Sequence, residues 1–174
     1  MYKAIEIIPM TELTEQQVQD LSTLLIDVVQ DGASIGFLPP LSLEEAIPYW
    51  QHVLEAGTLL WTAYVDGKLA GTIQLQLASK RNALHRAEIA KLMVHPDFRR
   101  LGIARRLMQA AHERAEMERR TLIVLDTRAG DPSNLLYVAL GYKEAGRIPR
   151  FAMSASGELE TTIIYYKESH NKGV

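Results

Sequence analysis

Hydrophobic positions recur along the chain with two spacings, one typical of amphipathic helices and the other typical of strands. A first helix is predicted after Thr14, a residue type that caps helices, because the apolar residues that follow share one helical face. These residues are Val18, Leu21, Leu25 and Val28. Ser42 and Glu45 have the spacing of a capping box, which predicts a second helix. That helix is expected to run to about Glu55 and to be ended by Gly57.

Seven segments have the alternation or the continuous apolar character of strands. They are residues 2–8, 58–65, 69–77, 85–94, 121–127, 142–148 and 159–167. Two more helices are predicted over residues 103–118 and 133–140, and Asp66-Gly67 predicts a hairpin turn. The order β-α-α-β-β-β-α-β-α-β-β predicts an α/β fold with a mixed sheet and helices on both faces. We expect a single domain over residues 1–174, since a chain of 174 residues suits one core.

The composition is that of an ordinary globular protein, with 47% hydrophobic residues, 23% charged residues and a formal net charge of −2. Because no block of like charge is present, the sequence predicts no broad surface for nucleic acid or membrane, although a local patch stays open. No apolar run is long enough to cross a bilayer, and the N-terminus lacks the layout of a secretory signal. We therefore expect a cytoplasmic protein.

The reactive side chains in the sequence limit the reactions and the metal sites that the protein can support. The chain has no cysteine, which excludes disulfides, thiolate metal ligands and a cysteine nucleophile. The histidines have no short spacing typical of metal ligands; they are His52, His85, His95, His112 and His170. No metal site is therefore expected.

The segment HPDFRRLGIARRLM, residues 95–108, carries the strongest chemical signal. Gly102 stands where a helix must begin, and four arginines crowd that beginning: Arg99, Arg100, Arg105 and Arg106. A helix N-terminus has free N–H groups and a positive partial charge, and glycine lets phosphate oxygens approach the backbone. The segment therefore predicts an anion site. The alternative is that the arginines are solvated or pair with Asp97, Glu113 and Glu116.

Residues 99–104, RRLGIA, match the pattern Q/R-x-x-G-x-G/A of the acetyl-coenzyme A pyrophosphate loop in GCN5-related N-acetyltransferases. They stand between a strand and an amphipathic helix, as in that family. Residues 137–142, YVALGY, resemble the Y-x-x-x-G-F/Y that ends a short helix in the family. The chain is therefore similar to this superfamily over residues 86–142. Four shorter segments resemble the tabtoxin-resistance acetyltransferase branch: GASIGF, RAEIAKLMV, LDT and TTIIYYK.

This resemblance implies a single-domain, mostly antiparallel mixed sheet in which one parallel strand pair splays apart, with acetyl-coenzyme A as co-substrate between the two strands. Backbone groups of Leu92, Met93 and Val94 would pair with the pantetheine arm and the acetyl group. The phosphates would be held by the loop and the helix start: Arg99, Arg100, Leu101, Gly102, Ile103, Ala104 and Arg105. One departure stands out, because many family members carry asparagine where this chain has Gly130. Asn134 lies too close to Tyr137 to take its place.

The reaction that the resemblance implies needs a neutral amine, so a base must remove a proton from the ammonium form of the acceptor. Glu88 and Asp126 are the candidates, acting alone or as a pair of base and ammonium anchor. An exposed strand carboxylate and a loop-organising aspartate are the alternative interpretations. Tyr137 is the candidate acid for the departing thiolate, or else a core tyrosine. Without cysteine, direct transfer in a ternary complex is favoured over an acyl-enzyme.

The loop Asp31–Pro40, DGASIGFLPP, contains a formal match to the G-x-S-x-G motif of serine hydrolases. A nucleophile elbow needs a strand before Ser34 and a helix directly after it, whereas a helical pattern precedes this serine. We interpret the two glycines as turn residues between helices. Ser34 and Phe37 become candidates for acceptor binding, with Tyr49 and Trp50 as a possible apolar wall or, for Trp50 and Trp61, plain core. Residues 147–160 are expected to form the opposite side.

Three function classes remain open from the sequence. The favoured one is an acetyl-coenzyme A-dependent N-acetyltransferase that acts on a primary amine of a small, amino-acid-like molecule, as a monomer or homodimer. The sequence does not distinguish this small-molecule acceptor from an acceptor amine on a protein. A catalytically silent coenzyme A-binding regulatory module and a serine hydrolase using Ser34 are the alternatives.

Overall fold

The computed structural model describes residues 4–55 and 57–169. Within these residues the chain forms seven strands and four α-helices in the predicted order. The strands are β1 (Ile5–Met10), β2 (Thr58–Val65), β3 (Lys68–Leu77), β4 (Arg86–Val94), β5 (Leu122–Arg128), β6 (Lys143–Met153) and β7 (Leu159–Glu168). The helices are α1 (Glu15–Gln30), α2 (Leu43–Gln51), α3 (Ile103–Met117) and α4 (Ser133–Ala139). The start of the first predicted strand, residues 2–3, lies outside the described residues.

All seven strands join one sheet in the order β1-β2-β3-β4-β5-β7-β6. Every neighbouring pair is antiparallel except β4 and β5, which are parallel. The α3 crossover links these two strands, as a parallel connection requires. The predicted class, an α/β fold with a mixed and mostly antiparallel sheet, is confirmed.

Two apolar layers cover opposite faces of the sheet. Side chains of α3 and α4 pack on one face with buried residues such as Ile73, Ile89 and Leu125. Helices α1 and α2 pack on the other face, where Leu60 and Met93 are buried against them. Both tryptophans belong to these buried layers, as the core interpretation expects, since Trp50 is 1% and Trp61 is 7% exposed. No helix in the described part of the chain is long and apolar enough to cross a membrane.

The predicted cap at Thr14 and the predicted capping box at Ser42 are confirmed, and Thr14 also forms a capping box. The Thr14 hydroxyl accepts a hydrogen bond from the Gln17 backbone, and Ser42 does the same for Glu45. The predicted end of the second helix is wrong, because α2 stops at Gln51. After Gln51 the chain continues in turns, where backbone N–H groups bond to the carbonyl three residues earlier and not four residues earlier as in an α-helix. One of these hydrogen bonds joins Val53 N to Trp50 O at 3.4 Å.

The last two strands form a longer hairpin than the sequence predicts. Strand β6 extends to Met153, with an irregular register between Ile148 and Ala152 where it pairs with β7. The tip of this hairpin exposes Ile148, Phe151 and Met153. The segment expected to form one side of the acceptor pocket is therefore mostly an edge hairpin.

Candidate active site

Strands β4 and β5 diverge along their length. Their pairing ends where Glu88 lies opposite Val124. Beyond that point β5 follows β7 as far as Arg128, whereas β4 follows β3 as far as Val94. The strands therefore separate, and a cleft of about 850 Å³ opens between them, which we call the cofactor cleft.

A β-bulge in β4 accompanies this divergence. Thr72 lies opposite Met93 and Gln74 opposite Ala90, so two residues of β4, Lys91 and Leu92, face the single residue between them on β3. Lys91 has φ +50°, in the left-handed region that L side chains rarely adopt. An extra residue of this kind bends its strand and redirects side chains, which is why bulges are common beside active sites.

Nine of the ten predicted cofactor-binding residues line the cofactor cleft. They are Leu92, Met93, Val94, Arg99, Arg100, Gly102, Ile103, Ala104 and Arg105. Leu101 is the exception, and its side chain is 41% exposed on the surface. The sequence did not predict the opposite wall of the cleft. Ser133 and Leu136 of α4 line it, together with Gly32 in the loop after α1.

The start of α3 has the features of an anion site. Gly102 is its N-cap, has φ +81°, and no side chain caps the free N–H groups that follow. No acidic residue lies in the first turn. Three arginines of the cleft wall, Arg99, Arg100 and Arg105, add positive charge. These residues fit a phosphate-bearing ligand such as coenzyme A.

The four arginines are exposed, as the alternative expects, but within the described residues none of them forms an ion pair with the partners named there, Asp97, Glu113 and Glu116. Arg99 forms an ion pair with Asp31, at 2.7 Å, and not with Asp97. Glu113 accepts a hydrogen bond from Gln109 on its own helix. Charge compensation at the cleft therefore comes from a distant loop, which no local charge pattern reveals.

Residues 31–40, which we call the acceptor loop, are fastened at both edges of the cleft. Besides the Arg99–Asp31 pair, the Arg128 guanidinium donates to the Gly32 carbonyl at 3.0 Å. Gly32 and Gly36 have φ of +93° and +89°, which confirms their role as turn residues. The element before Ser34 is helix α1, which ends at Gln30, and bends follow this serine where an elbow needs a helix. The described loop therefore lacks the local structure of a nucleophile elbow.

Phe37 lies on the α1–α2 side of the sheet and contacts Tyr49 edge to face, with ring centroids 5.3 Å apart. The Tyr49 hydroxyl accepts a hydrogen bond from Gln74 at 2.7 Å. Neither Ser34 nor Phe37 lines the cofactor cleft. Phe37 therefore lies beside the cleft, on the face covered by α1 and α2, and Ser34 lies outside the lining of the cleft.

The two candidate bases lie on that same face. Ile89 and Leu125 point into the layer under α3, and side chains alternate along strands, so Glu88 and Asp126 point the other way. Both residues are exposed, yet partial desolvation raises the pKa of Glu88, and the nearby Asp126 charge raises it further. Arg86 and Lys91 act in the opposite direction on this pKa. The structure thus brings two carboxylates together where the strands begin to separate.

Tyr137 is only 6% exposed, on α4, and packs against Tyr142 and Tyr165 with ring centroids 5.9 and 6.0 Å away. Burial raises the pKa of Tyr137 to about 12, although the Ser133 hydroxyl acts against this rise. Its neighbours Ser133 and Leu136 line the cleft, while the tyrosine ring belongs to the core. The core interpretation of Tyr137 is confirmed by this burial, and its role as the acid stays a prediction.

The Asn134 side chain forms hydrogen bonds that hold the loop between β5 and α4. Its amide donates to the carbonyls of Arg128 and Asp131, and its oxygen accepts from the Tyr165 hydroxyl at 3.0 Å. The asparagine therefore holds the loop between β5 and α4, which contains Gly130. This agrees with the expectation that Asn134 does not replace the asparagine missing at Gly130.

The fold, the splayed strand pair and the anion site together define an acetyltransferase. The model of the acetyltransferase (GNAT) family matches residues 12–142, and the chain belongs to this family. It is 30% identical over 130 residues to an N-acetyltransferase from the hisH-hisA intergenic region of Azospirillum brasilense, covering 68% of this chain and 77% of that one.

Two solved structures illustrate the shared fold. The yncA protein of Salmonella typhimurium, solved with its cofactor acetyl-coenzyme A, has a TM-score of 0.79 at 13% identity, covering 98% of this chain and 97% of that one. The ribosomal-protein-alanine N-acetyltransferase of Brucella melitensis has a TM-score of 0.76 at 17% identity, covering 93% and 99%. Identities this low show a common fold, and the acceptor must be argued from the site.

Proposed function

We propose that this N-acetyltransferase transfers the acetyl group of acetyl-coenzyme A directly to a primary amine of a small, amino-acid-like molecule. The observation that carries the proposal is the position of Glu88 and Asp126, two carboxylates on one sheet face at the apex of the splayed strands. The predicted membership of the tabtoxin-resistance branch agrees with a small acceptor and rests on short segments, such as GASIGF in the acceptor loop.

The cofactor half of the site rests on electrostatics. The phosphates would lie at the start of α3, where backbone N–H groups and the arginines of the cleft wall meet them. Backbone groups of Leu92, Met93 and Val94 would hold the pantetheine arm, because the divergence of β4 and β5 leaves that edge of β4 open. When bound, acetyl-coenzyme A supplies a thioester whose carbonyl carbon bonds to the amine nitrogen as the carbon–sulfur bond breaks.

The carboxylates handle the proton of the acceptor. An ammonium bound near Glu88 and Asp126 is held by their charge, and one of them takes its proton to give the neutral amine. Glu88 suits the base role, because a raised pKa makes its carboxylate a stronger proton acceptor. Asp126 then serves as the ammonium anchor.

Tyr137 would donate a hydrogen bond to the departing thiolate. Its pKa of about 12 is well above the value of about 8.5 for an ordinary thiol. Full proton transfer from this phenol to a thiolate is therefore uphill, and we assign it stabilisation of the leaving group by hydrogen bonding. The nitrogen loses its second proton as the amide forms, and the thiolate takes up this proton through water, so that the products are the amide and the coenzyme A thiol.

The acceptor side supports a small molecule. The acceptor loop is held at its start by Arg99 and Arg128, and its later residues reach Tyr49 of α2 and Lys91 at the bulge in β4. Phe37 and Tyr49 offer apolar contact there, and Tyr49 brings a polar hydroxyl. An acceptor that fills this place needs a small apolar part next to its amine.

A thiol-release screen tests the proposal. Acetyl-coenzyme A is offered with amino acids, polyamines, aminoglycosides and peptides in parallel, and products are identified by mass spectrometry. We expect N-acetylation among the amino acids, with initial-rate patterns of a ternary complex. Turnover with peptides or proteins alone would transfer the proposal to a protein acceptor, and binding of acetyl-coenzyme A without turnover would favour the regulatory module.

A further inference from the structure

Lys91 is a charged residue of the acceptor side that sequence reasoning missed. It stands in the apolar strand segment IAKLMV, at the β-bulge, and takes a left-handed conformation with φ +50°. A non-glycine residue held in this region costs free energy, and such residues cluster at functional sites. The bulge therefore gives Lys91 a direction that the regular alternation of β4 would not provide.

The ammonium of Lys91 points to the acceptor loop. Its Nζ lies 6.0 Å from the centre of the Tyr49 ring, and a side-chain carbon added at Gly36 would lie 3.6 Å from it. Glycine at position 36 thus leaves the space beside the ammonium open. Tyr49 and Gly36 place Lys91 on the face where the acceptor is expected.

Lys91 is half-buried without a close anionic partner. Among residues 4–55 and 57–169, it forms no ion pair or hydrogen bond, and its contact with the Tyr49 ring is at the outer limit for a cation–π interaction. Glu88 and Asp126 influence it through space, yet both lie beyond ion-pair distance. Burial lowers the pKa of Lys91 while these two carboxylates raise it.

This face therefore carries two carboxylates and, beyond ion-pair distance from both, an ammonium that forms no ion pair within the described residues. A molecule with both an ammonium and a carboxylate complements this arrangement. Its amine would lie at Glu88 and Asp126, and its carboxylate would supply the acceptor oxygens that Lys91 lacks. A simple amine offers no acceptor to the half-buried lysine and would displace water from it without replacing the hydrogen bonds, so it should bind less tightly than an amino acid.

We propose that Lys91 binds the carboxylate of the acceptor and thereby makes the enzyme selective for free amino acids over their neutral derivatives. This inference rests on the proposed function, because it assumes that the acceptor amine is held at Glu88 and Asp126. Lys91 is a specificity-determining residue in this account, and the proton transfer does not pass through it.

The test compares each common L-amino acid with its own amide in the thiol-release assay. We expect wild-type enzyme to prefer the free acid in kcat/KM. At a pH above the acid limb of the kcat/KM profile, Lys91→Met should lower kcat/KM for the acid by about 10- to 100-fold, since one charged hydrogen bond is lost, and should leave kcat/KM for the amide unchanged. The amine of an amino acid and that of its amide differ in basicity. This difference cancels when the kcat/KM of the variant is divided by that of the wild type for the same compound.

Three further variants sharpen the comparison. Lys91→Arg should recover part of the preference, and Lys91→Asn provides a second neutral variant because asparagine tolerates positive φ. Lys68→Met is the matched control, an exposed lysine at the far end of β3, and should change neither rate. Titration calorimetry of the preferred amino acid into the coenzyme A-loaded enzyme gives a readout without turnover, in which Kd should rise 10-fold or more for Lys91→Met.

The outcomes separate the two proposals. Equal loss for acid and amide in Lys91→Met, or a wild-type enzyme that accepts amides as readily as acids, overturns the role of Lys91 while small-molecule acetylation stands. Turnover with peptides or proteins alone overturns the small-acceptor function, and the inference about Lys91 falls with it. A selective loss for acids in both kinetics and calorimetry supports both.

Discussion

Arg99 and Asp31 join the two halves of the candidate active site through an ion pair of 2.7 Å. Arg99 precedes α3 and lines the cofactor cleft, while Asp31 begins the acceptor loop. Both side chains are about half exposed, so the pair itself contributes only about 0–1 kcal/mol. The pair matters for cofactor binding, because Asp31 competes for the Arg99 guanidinium with any phosphate that binds there.

Replacing Asp31 therefore should improve cofactor binding. In Asp31→Asn, Arg99 is available to phosphate, and we expect the KM for acetyl-coenzyme A to fall about 2- to 5-fold, as loss of a competing pair of under 1 kcal/mol allows. Glu144→Gln removes a comparable exposed pair with Arg147 and should leave this KM unchanged. An unchanged or higher KM in Asp31→Asn would show that phosphate does not use Arg99.

Gly102 offers a test of the phosphate site with a closely matched control. A Cβ at Gly102 meets no protein atom within 4 Å, and the same holds at Gly157 in the β6–β7 turn, with φ of +81° and +86°. Alanine should cost similar stability at both positions, about 1 kcal/mol. Only Gly102→Ala should raise the KM for acetyl-coenzyme A, by about 10-fold or more, since the methyl group meets the ligand. Equal kinetic effects at the two positions would remove Gly102 from the site.

The hydroxyls of two neighbouring tyrosines should have separable effects. Tyr137→Phe removes the proposed hydrogen bond to the thiolate and should lower kcat about 10-fold or more with little change in cofactor KM. Tyr142→Phe removes a hydrogen bond to His112 at 2.8 Å and should lower the free energy of unfolding by about 1 kcal/mol. It should leave kcat intact. Thermal unfolding and initial rates distinguish them, and an unchanged kcat in Tyr137→Phe would assign this tyrosine to the core alone.

The pH profile of kcat/KM reports on Glu88. As the base it must be ionised, so activity should rise with pH, and burial places this acid limb above the ordinary glutamate pKa of 4.5. The Asp126 charge raises the pKa of Glu88, so Asp126→Asn should move the limb to lower pH. Lys91 lowers it, so Lys91→Met should move the limb to higher pH.

Two controls complete this experiment. Glu88→Gln should abolish the limb and lower kcat/KM by about 100-fold or more. Glu158→Gln, at an exposed turn position, should leave the profile as in wild type. A limb that stays in place in Glu88→Gln would assign the base role to another group.

Many features of the fold and of the site could be predicted from the sequence, because the signals for them are local. The caps at Thr14 and Ser42, the hairpin turn at Asp66-Gly67 and the glycine at the start of α3 act within a few residues of chain. Hydrophobic periodicity placed all eleven elements in order, and boundaries failed where longer-range pairing decides them. Strand β6 runs to Met153 because β7 supplies partners, and nothing within β6 predicts this length.

The sequence by itself determined the order of elements, the family and the phosphate-binding segment, because periodicity, capping and a glycine followed by a helix are properties of neighbouring residues. Only the tertiary structure decided the charges around the acceptor. Lys91 owes its direction to a bulge that exists because Thr72 and Gln74 pair with Met93 and Ala90 across the sheet. Arg99 meets Asp31 across 68 residues of chain, a distance that only packing of α1 beside the cleft can close.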